Sequence, residues 1–315
     1  MSNKIDKKKN IISVFLTEFI RIKDAMIWSA ISFGGFILGM SSLDLSSYII
    51  PLLVFLVSTF FIMSFTFAIN NYYDADSDRE NPRRRNINAI ASGKISKQTG
   101  IILNITFIIV PLVVSILFKF EVFIFCAFLL FLGWTYSASP LRTKNKPILD
   151  IIWHFLGFFS YVIWGSFIAG SVGLINWLVA ISIGVWSSIF QVVNHIADYS
   201  FDKDSGTNTF AVWIGIDKAK RTIEILTLLH LILLIPLILL CSLGYLITII
   251  IVIVIPIIGL IIFKPRKGAF PTRRCFIYFF TVVIGYTIYL SCLVYHILFI
   301  YGEPTLSLLR FIGIH

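Results

Sequence analysis

Nine apolar runs, most of them about 20 residues long, recur along this chain and constrain its fold more than any other feature. They cover roughly Ala25–Leu45, Ser47–Ile69, Ile101–Phe118, Val122–Tyr136, Ile148–Ala169, Ile175–Ile196, Ile223–Cys241, Leu243–Phe263 and Cys275–Ile300. A run of that length crosses a bilayer as a helix, which satisfies its own backbone hydrogen bonds where water cannot. With 58% hydrophobic and 13% charged residues and a mean hydropathy of +0.91, the chain falls outside the range of soluble domains. The expectation is an all-α fold, a polytopic membrane bundle of about nine transmembrane helices. It forms one domain over residues 1–315, without a dividing linker. Residues 1–24, with Lys4, Lys7, Lys8 and Lys9, read as a basic cytoplasmic segment rather than a secretory signal.

The net charge of +10 suggests nucleic acid until its distribution is considered. Nine spans put alternate loops on the side of the N-terminus, and every Lys and Arg except Lys119 and Arg310 falls there. That asymmetry is the positive-inside pattern, so the basic residues set topology and no nucleic-acid partner is expected. The expected location is the plasma membrane, multi-pass, with the N-terminus cytoplasmic. Cys126, Cys241, Cys275 and Cys292 sit singly in or beside apolar runs and read as small buried hydrophobes. Neither a glycine-rich nucleotide loop nor a serine-hydrolase elbow is present.

Against this background one constellation occurs twice. Asn70, Asp74 and Asp78 follow the second run, and Asn194, Asp198 and Asp202 follow the sixth. A spacing of four stacks side chains on one helix face, so each triplet forms a polar stripe running off the end of a membrane helix. Carboxylates near hydrocarbon are costly and mark function. Both stripes fall on the cytoplasmic side and precede glycine-containing turns, at Gly93 and Gly206. His195, beside the second stripe, reads as structural.

Magnesium is held by one or two carboxylates completed by phosphate oxygens. Six Asn and Asp side chains in two groups therefore suit Mg²⁺ ions sharing a diphosphate, whose departure the metal would assist. Arg79, Arg83, Arg84 and Lys94 in one loop, Arg142 and Lys144 in another, and Lys203 in a third are candidates to take the remaining diphosphate charge. A diphosphate at the mouth of an apolar bundle implies a polyisoprenoid chain lying between the helices, in membrane lipid. Tyr72, Tyr73 and Tyr136 are the aromatic candidates to stabilise an allylic cation.

Asn70-Asn-x-x-Asp74-x-x-x-Asp78 resembles the N-D-x-x-D-x-x-x-D signature of the UbiA superfamily of intramembrane prenyltransferases. Asp198-x-x-x-Asp202, with Gly206 and Thr209, is similar to that family's second motif, and Tyr136-Ser-Ala-Ser-Pro-Leu-Arg142-Thr-Lys144 to the stretch after its fourth helix. The resemblance implies Mg²⁺-dependent transfer of a prenyl group from a prenyl diphosphate donor to a small acceptor. The metal ligands would be Asn70, Asp74, Asp78, Asn194, Asp198 and Asp202, with Asp74, Asp198 and Tyr136 catalytic. Two departures stand out. Asn71 occupies a position that is often Asp, removing one potential ligand charge. The segment N-R-P-[IL]-x-[ST]-G reads Ile87-Asn88-Ala89-Ile90-Ala91-Ser92-Gly93, without its Arg and Pro.

Two other classes compete. An ion-coupled transporter would place its acidic residues near the midplane rather than at one end. A metal-dependent phosphatidyltransferase would carry an Asp-Gly-x-x-Ala-Arg core, which is absent. The basic loop after the first stripe suits an anionic acceptor in isoprenoid lipid or quinone synthesis.

Overall fold

The computed structural model describes residues 10–42, 44–170 and 172–240, without the side chains of Ile27, Pro82, Arg83, Leu231, Leu234 and residues 237–240. The expected eighth and ninth spans, the loop Lys264–Arg274, Cys241, Cys275, Cys292, Arg310 and the N-terminal lysines lie outside the described residues. Among the described residues all regular structure is helical: α1 (Ile11–Val14), continued by a π turn (Phe15–Phe19), α2 (Ile22–Gly39), α3 (Ile49–Glu80), α4 (Pro82–Arg85), α5 (Lys97–Phe118), α6 (Phe120–Ser137), α7 (Pro147–Ala169), α8 (Leu174–Ala197), α9 (Tyr199–Asp204), α10 (Phe210–Ile214) and α11 (Ile216–Leu240). Six of them, α2, α3 and α5 to α8, are long and apolar enough to cross a membrane, and they coincide with the first six apolar runs. The chain is an integral membrane protein of the polytopic helical kind. The 25-residue α11 covers the seventh run as far as Leu240.

Helix ends follow from local chemistry. Ser96 caps α5 by accepting from Thr99 N–H at 3.0 Å, and Pro147 opens α7, where no intrahelical donor is lost. Asn176 Oδ1 accepts from Gly173 N–H at 2.9 Å at the start of α8. The 32 residues of α3 make it about 48 Å long against a hydrocarbon thickness of about 30 Å. Its last turns therefore project beyond the apolar layer, and they carry the first stripe.

The chain divides into two compact units. The first comprises, among the described residues, 10–30 and 53–142. Its core is built on Phe19, Ile20, Ile62, Met63, Phe65, Val122 and Cys126, all nearly or fully buried. The rings of Phe15, Phe19 and Phe61 gather on Phe107 of α5. The second unit comprises, among the described residues, 31–52 and 143–240. Here α2 and α7 approach so closely that a Cβ on Gly35, Gly39 or Gly165 would strike the opposing backbone at Val162, Ser166 or Ser32. The contact is bonded as well as packed: Ser32 Oγ donates to Tyr161 O at 3.0 Å and Ser166 Oγ to Gly35 O at 2.8 Å. Small residues of this kind are how membrane helices gain close dispersion contact when lipid removes the hydrophobic drive. Val185, Ile189, Val192, Ala211, Ala219 and Ile223 form a second apolar cluster joining α8, α10 and α11.

Candidate active site

In the first unit the stripe Asn70, Asp74 and Asp78 lies on one continuous helix, as its spacing predicts, with Asp74 8% and Asp78 9% exposed. Each member is held. Ser137 Oγ donates to Asn70 Oδ1 at 2.9 Å, Arg142 Nη2 to Asp74 Oδ1 at 2.9 Å, and Asn88 Nδ2 to Asp78 Oδ2 at 3.0 Å. Arg142 reaches Asp74 from a backbone with φ +34°, a left-handed conformation that costs a non-glycine residue roughly 1–2 kcal/mol. A charge-assisted bond to a buried carboxylate offsets that cost.

Asn71 has a use that its motif position does not suggest. Its Nδ2 reaches Glu18 O and Phe19 O at 3.2 Å and Phe67 O at 3.0 Å, and its Oδ1 accepts from Ala89 N–H at 3.0 Å. The side chain thus ties the N-terminal π turn and the loop after α4 onto α3. Asn88, at the position of the missing Arg, extends the network. Its Nδ2 also donates to Asn71 O at 2.9 Å, while its Oδ1 accepts from Ile90 N–H and Ala91 N–H. Ala89 and Ile90 are buried, and the turn closes at Gly93 with φ +74°, a conformation open to glycine.

The cations divide. Arg142 is bonded to the stripe, whereas Lys94 pairs with the buried Glu18 at 2.7 Å. Arg79 lies 3.5 Å from Asp76, which Lys97 also approaches at 2.9 Å. Arg84 is exposed, and the side chain of Arg83 lies outside the described residues. Tyr136 is half-buried near the end of α6, and Tyr72 and Tyr73 pack edge to face with centroids 5.4 Å apart.

In the second unit the stripe is not on one unbroken helix. Asn194 is on α8, Asp198 sits at its C-cap with φ −94° and ψ 5°, and Asp202 is on α9. The helical path nevertheless persists through Asp198 N–H to Asn194 O at 3.0 Å and Asp202 N–H to Asp198 O at 2.9 Å, which preserves the stacking. Asp198 is exposed and Asp202 buried. The turn at Gly206 has φ +70° and matches that at Gly93. Lys203 is exposed, 6.0 Å from the Tyr199 ring centroid, and Lys144 is half-buried.

Sequence reasoning missed Glu18, Ser137, Asn88 and a buried group around Asp150. That carboxylate, within the fifth apolar run, accepts from Gln191 Nε2 at 2.7 Å and lies 2.9 Å from His195 Nε2. An ionisable residue inside a membrane run was the available signal.

Both stripes offer oxygen donors only, the ligand chemistry of Mg²⁺ rather than of zinc or copper. Among the described residues no three His, Cys, Asp or Glu side chains converge as a closed metal site. A Mg²⁺ completed by phosphate oxygens and water needs no such cage, so the donor set fits.

Comparison with known proteins bears on the same residues. The chain is 27% identical over 182 residues to a lycopene elongase/hydratase of Corynebacterium glutamicum, covering 54% of this chain and 61% of that protein. It is 31% identical over 168 residues to a digeranylgeranylglyceryl phosphate synthase of Korarchaeum cryptofilum, covering 52% and 57%. The chain thus spans about three fifths of the length of these curated relatives. Its fold matches that of a UbiA homologue from Archaeoglobus fulgidus solved with GPP and Mg²⁺, with a TM-score of 0.66 at 22% identity over 90% of this chain and 98% of that one. The profile of the UbiA prenyltransferase family matches residues 27–284, a stretch that contains both stripes, and the chain belongs to that family.

Proposed function

We propose that this protein transfers a prenyl group from a prenyl diphosphate to a small anionic acceptor, with Mg²⁺, in isoprenoid lipid or quinone biosynthesis. The observation that carries the reading is the doubled Asn-Asp-Asp stripe inside the family match, with the first copy held on α3 and Arg142 bonded to Asp74. Asn70, Asp74, Asp78, Asn194, Asp198 and Asp202 are the proposed Mg²⁺ ligands. When bound, Mg²⁺ would neutralise the diphosphate and make it a better leaving group. Arg142 would exchange Asp74 for a phosphate oxygen, a contact to which its planar guanidinium is suited. Arg79, Arg83, Arg84, Lys94, Lys144 and Lys203 are proposed to screen the remaining charge, Lys94 by leaving Glu18. Tyr136 is proposed to face the allylic carbon, where an aromatic ring favours cationic character. One domain over residues 1–315, in the plasma membrane with its site on the cytoplasmic side, completes the proposal.

The relatives point to two acceptor chemistries: a glyceryl phosphate and an uncharged carotenoid. Exposed Arg84 and Arg85 after the first stripe favour the anionic one. The test incubates membranes containing the full chain with geranylgeranyl diphosphate, Mg²⁺ and a panel of both acceptor kinds. Mg²⁺-dependent release of diphosphate with a prenylated anionic product is expected in the mass spectrum. Prenylation of the carotenoid alone would overturn the acceptor class. Absence of diphosphate release with every acceptor would overturn the activity.

A further inference from the structure

Asp150 is 2% exposed and lies in the first turn of α7, where aligned peptide dipoles favour a negative charge. Its partners come from α8: Gln191 Nε2 donates to Oδ2 at 2.7 Å, His195 Nε2 lies 2.9 Å from the same oxygen, and the two α8 side chains meet at 3.1 Å. His154 Nε2, one turn along α7, is 3.9 Å from Oδ1. Positions 191, 195 and 198 share a helix face, with 194 beside them. The side chains gripping Asp150 therefore occupy the turn of α8 directly beneath Asp198, and Asn194 is flanked by both.

Stability alone is a poor reason for this network. Away from the stripe the α7–α8 contact is made without charge, by Gly184 against Phe155 and by Ser188 Oγ donating to Ile151 O at 3.3 Å. Apolar packing matches or exceeds a buried ionic group in stability. The network is also incompletely paired, since Asp150 Oδ1 and His195 Nδ1 find no hydrogen-bond partner among the described residues. Such groups persist where geometry matters more than stability. Asp198 adds the need: it is exposed, at a break in the helix, so its direction is set by the turn beneath it.

We propose that Asp150 is a positioning residue for the second stripe: through Gln191 and His195 it fixes the rotation of the last turn of α8, and so the direction in which Asn194 and Asp198 present their oxygens to Mg²⁺. This rests on the reading of those two residues as ligands. Partners that orient metal ligands commonly matter 10- to 100-fold in affinity.

The test uses the purified full chain in detergent, with Mn²⁺ replacing Mg²⁺ and an unreactive prenyl thiodiphosphate present. The electron paramagnetic resonance signal of free Mn²⁺ reports binding. Asp150→Ala should weaken Mn²⁺ binding roughly tenfold. Asp150→Asn keeps an acceptor oxygen and should stay within about threefold of the parent, the difference between a charge-assisted and a neutral hydrogen bond. Thermal midpoints measured on the same samples separate roles, because a merely structural Asp150 would lower the midpoint and leave Mn²⁺ affinity unchanged. Asp198→Ala is the control. If Asp198→Ala loses Mn²⁺ while Asp150→Ala binds it normally, the inference alone is overturned. If Asp198→Ala binds normally, the ligand reading fails and takes the inference with it. Should Asp150→Ala not accumulate, Gln191→Ala carries the test, with an expected loss of about threefold for one hydrogen bond; unchanged binding there overturns the inference too.

Discussion

Asp74 and Asp198 differ sharply in environment, one buried and bonded to Arg142, the other exposed at a helix break. The proposed function makes both indispensable. Replacing either with Ala should lower turnover roughly 100-fold or more, as when one key electrostatic group is removed from an active site. Near-normal turnover in both variants, assayed with Mg²⁺ as the sole divalent ion, would contradict that. Asn71 makes a different prediction. Its two amide hydrogens serve three carbonyls, so Asn71→Ala should cost about 2–3 kcal/mol, at about 1 kcal/mol per net hydrogen bond. Asn71→Asp restores the charge common in the family signature but sets a carboxylate against carbonyl oxygens, and should destabilise at least as much. Thermal unfolding of the detergent-solubilised variants checks both. The stripes were legible because their spacing is local. The use of Asn71 was not, because two of its acceptors, Glu18 O and Phe19 O, lie more than 50 residues away in sequence.

At the scale of elements, hydropathy located the first six spans, the third to sixth of them to within about four residues at either end, because apolar length is what a membrane selects, while α2 stops at Gly39, short of the expected Leu45. It did not reveal that α3 runs on through the acidic stripe to Glu80 as one helix, nor that the matching helix breaks at Asp198. Both outcomes depend on tertiary support. The end of α3 is gripped by Asn88, Ser137 and Arg142, whereas Asp198 lies exposed, one turn above His195, which with Gln191 contacts Asp150. The close approach of α2 and α7 was also hidden, since a glycine in a membrane run carries no sign of which helix it meets. That contact yields a prediction. Gly165→Val would drive a branched side chain into the backbone at Ser32 and should destabilise by about 3 kcal/mol, the upper end of ordinary overpacking. Gly157→Val, with no close neighbour except the Trp153 ring at 3.9 Å, should be far milder. The comparison is read from the thermal midpoints of the two purified variants, and equal shifts would remove the close-packing explanation.

For the whole molecule, what remains to be set is orientation, and that follows from charge rather than from any contact. Nearly all the basic residues lie in loops that alternation of the expected spans would put on the side of the N-terminus, and translocation of such loops is disfavoured. The same alternation would put Lys119, between α5 and α6, on the opposite side. In a chain with Cys126, Cys241, Cys275 and Cys292 replaced, single cysteines at Arg85, Asp204 and Lys119 report each assignment. Arg85 and Asp204 are exposed in the loops that follow the two stripes. A membrane-impermeant maleimide added to intact right-side-out vesicles should label the Lys119→Cys chain and spare the other two, which should react once the vesicles are inverted. Reversal of the whole pattern would move the proposed site to the outer face. A split between Arg85→Cys and Asp204→Cys would be more serious, because two stripes on opposite faces cannot bind one diphosphate, and the proposed reaction depends on their doing so.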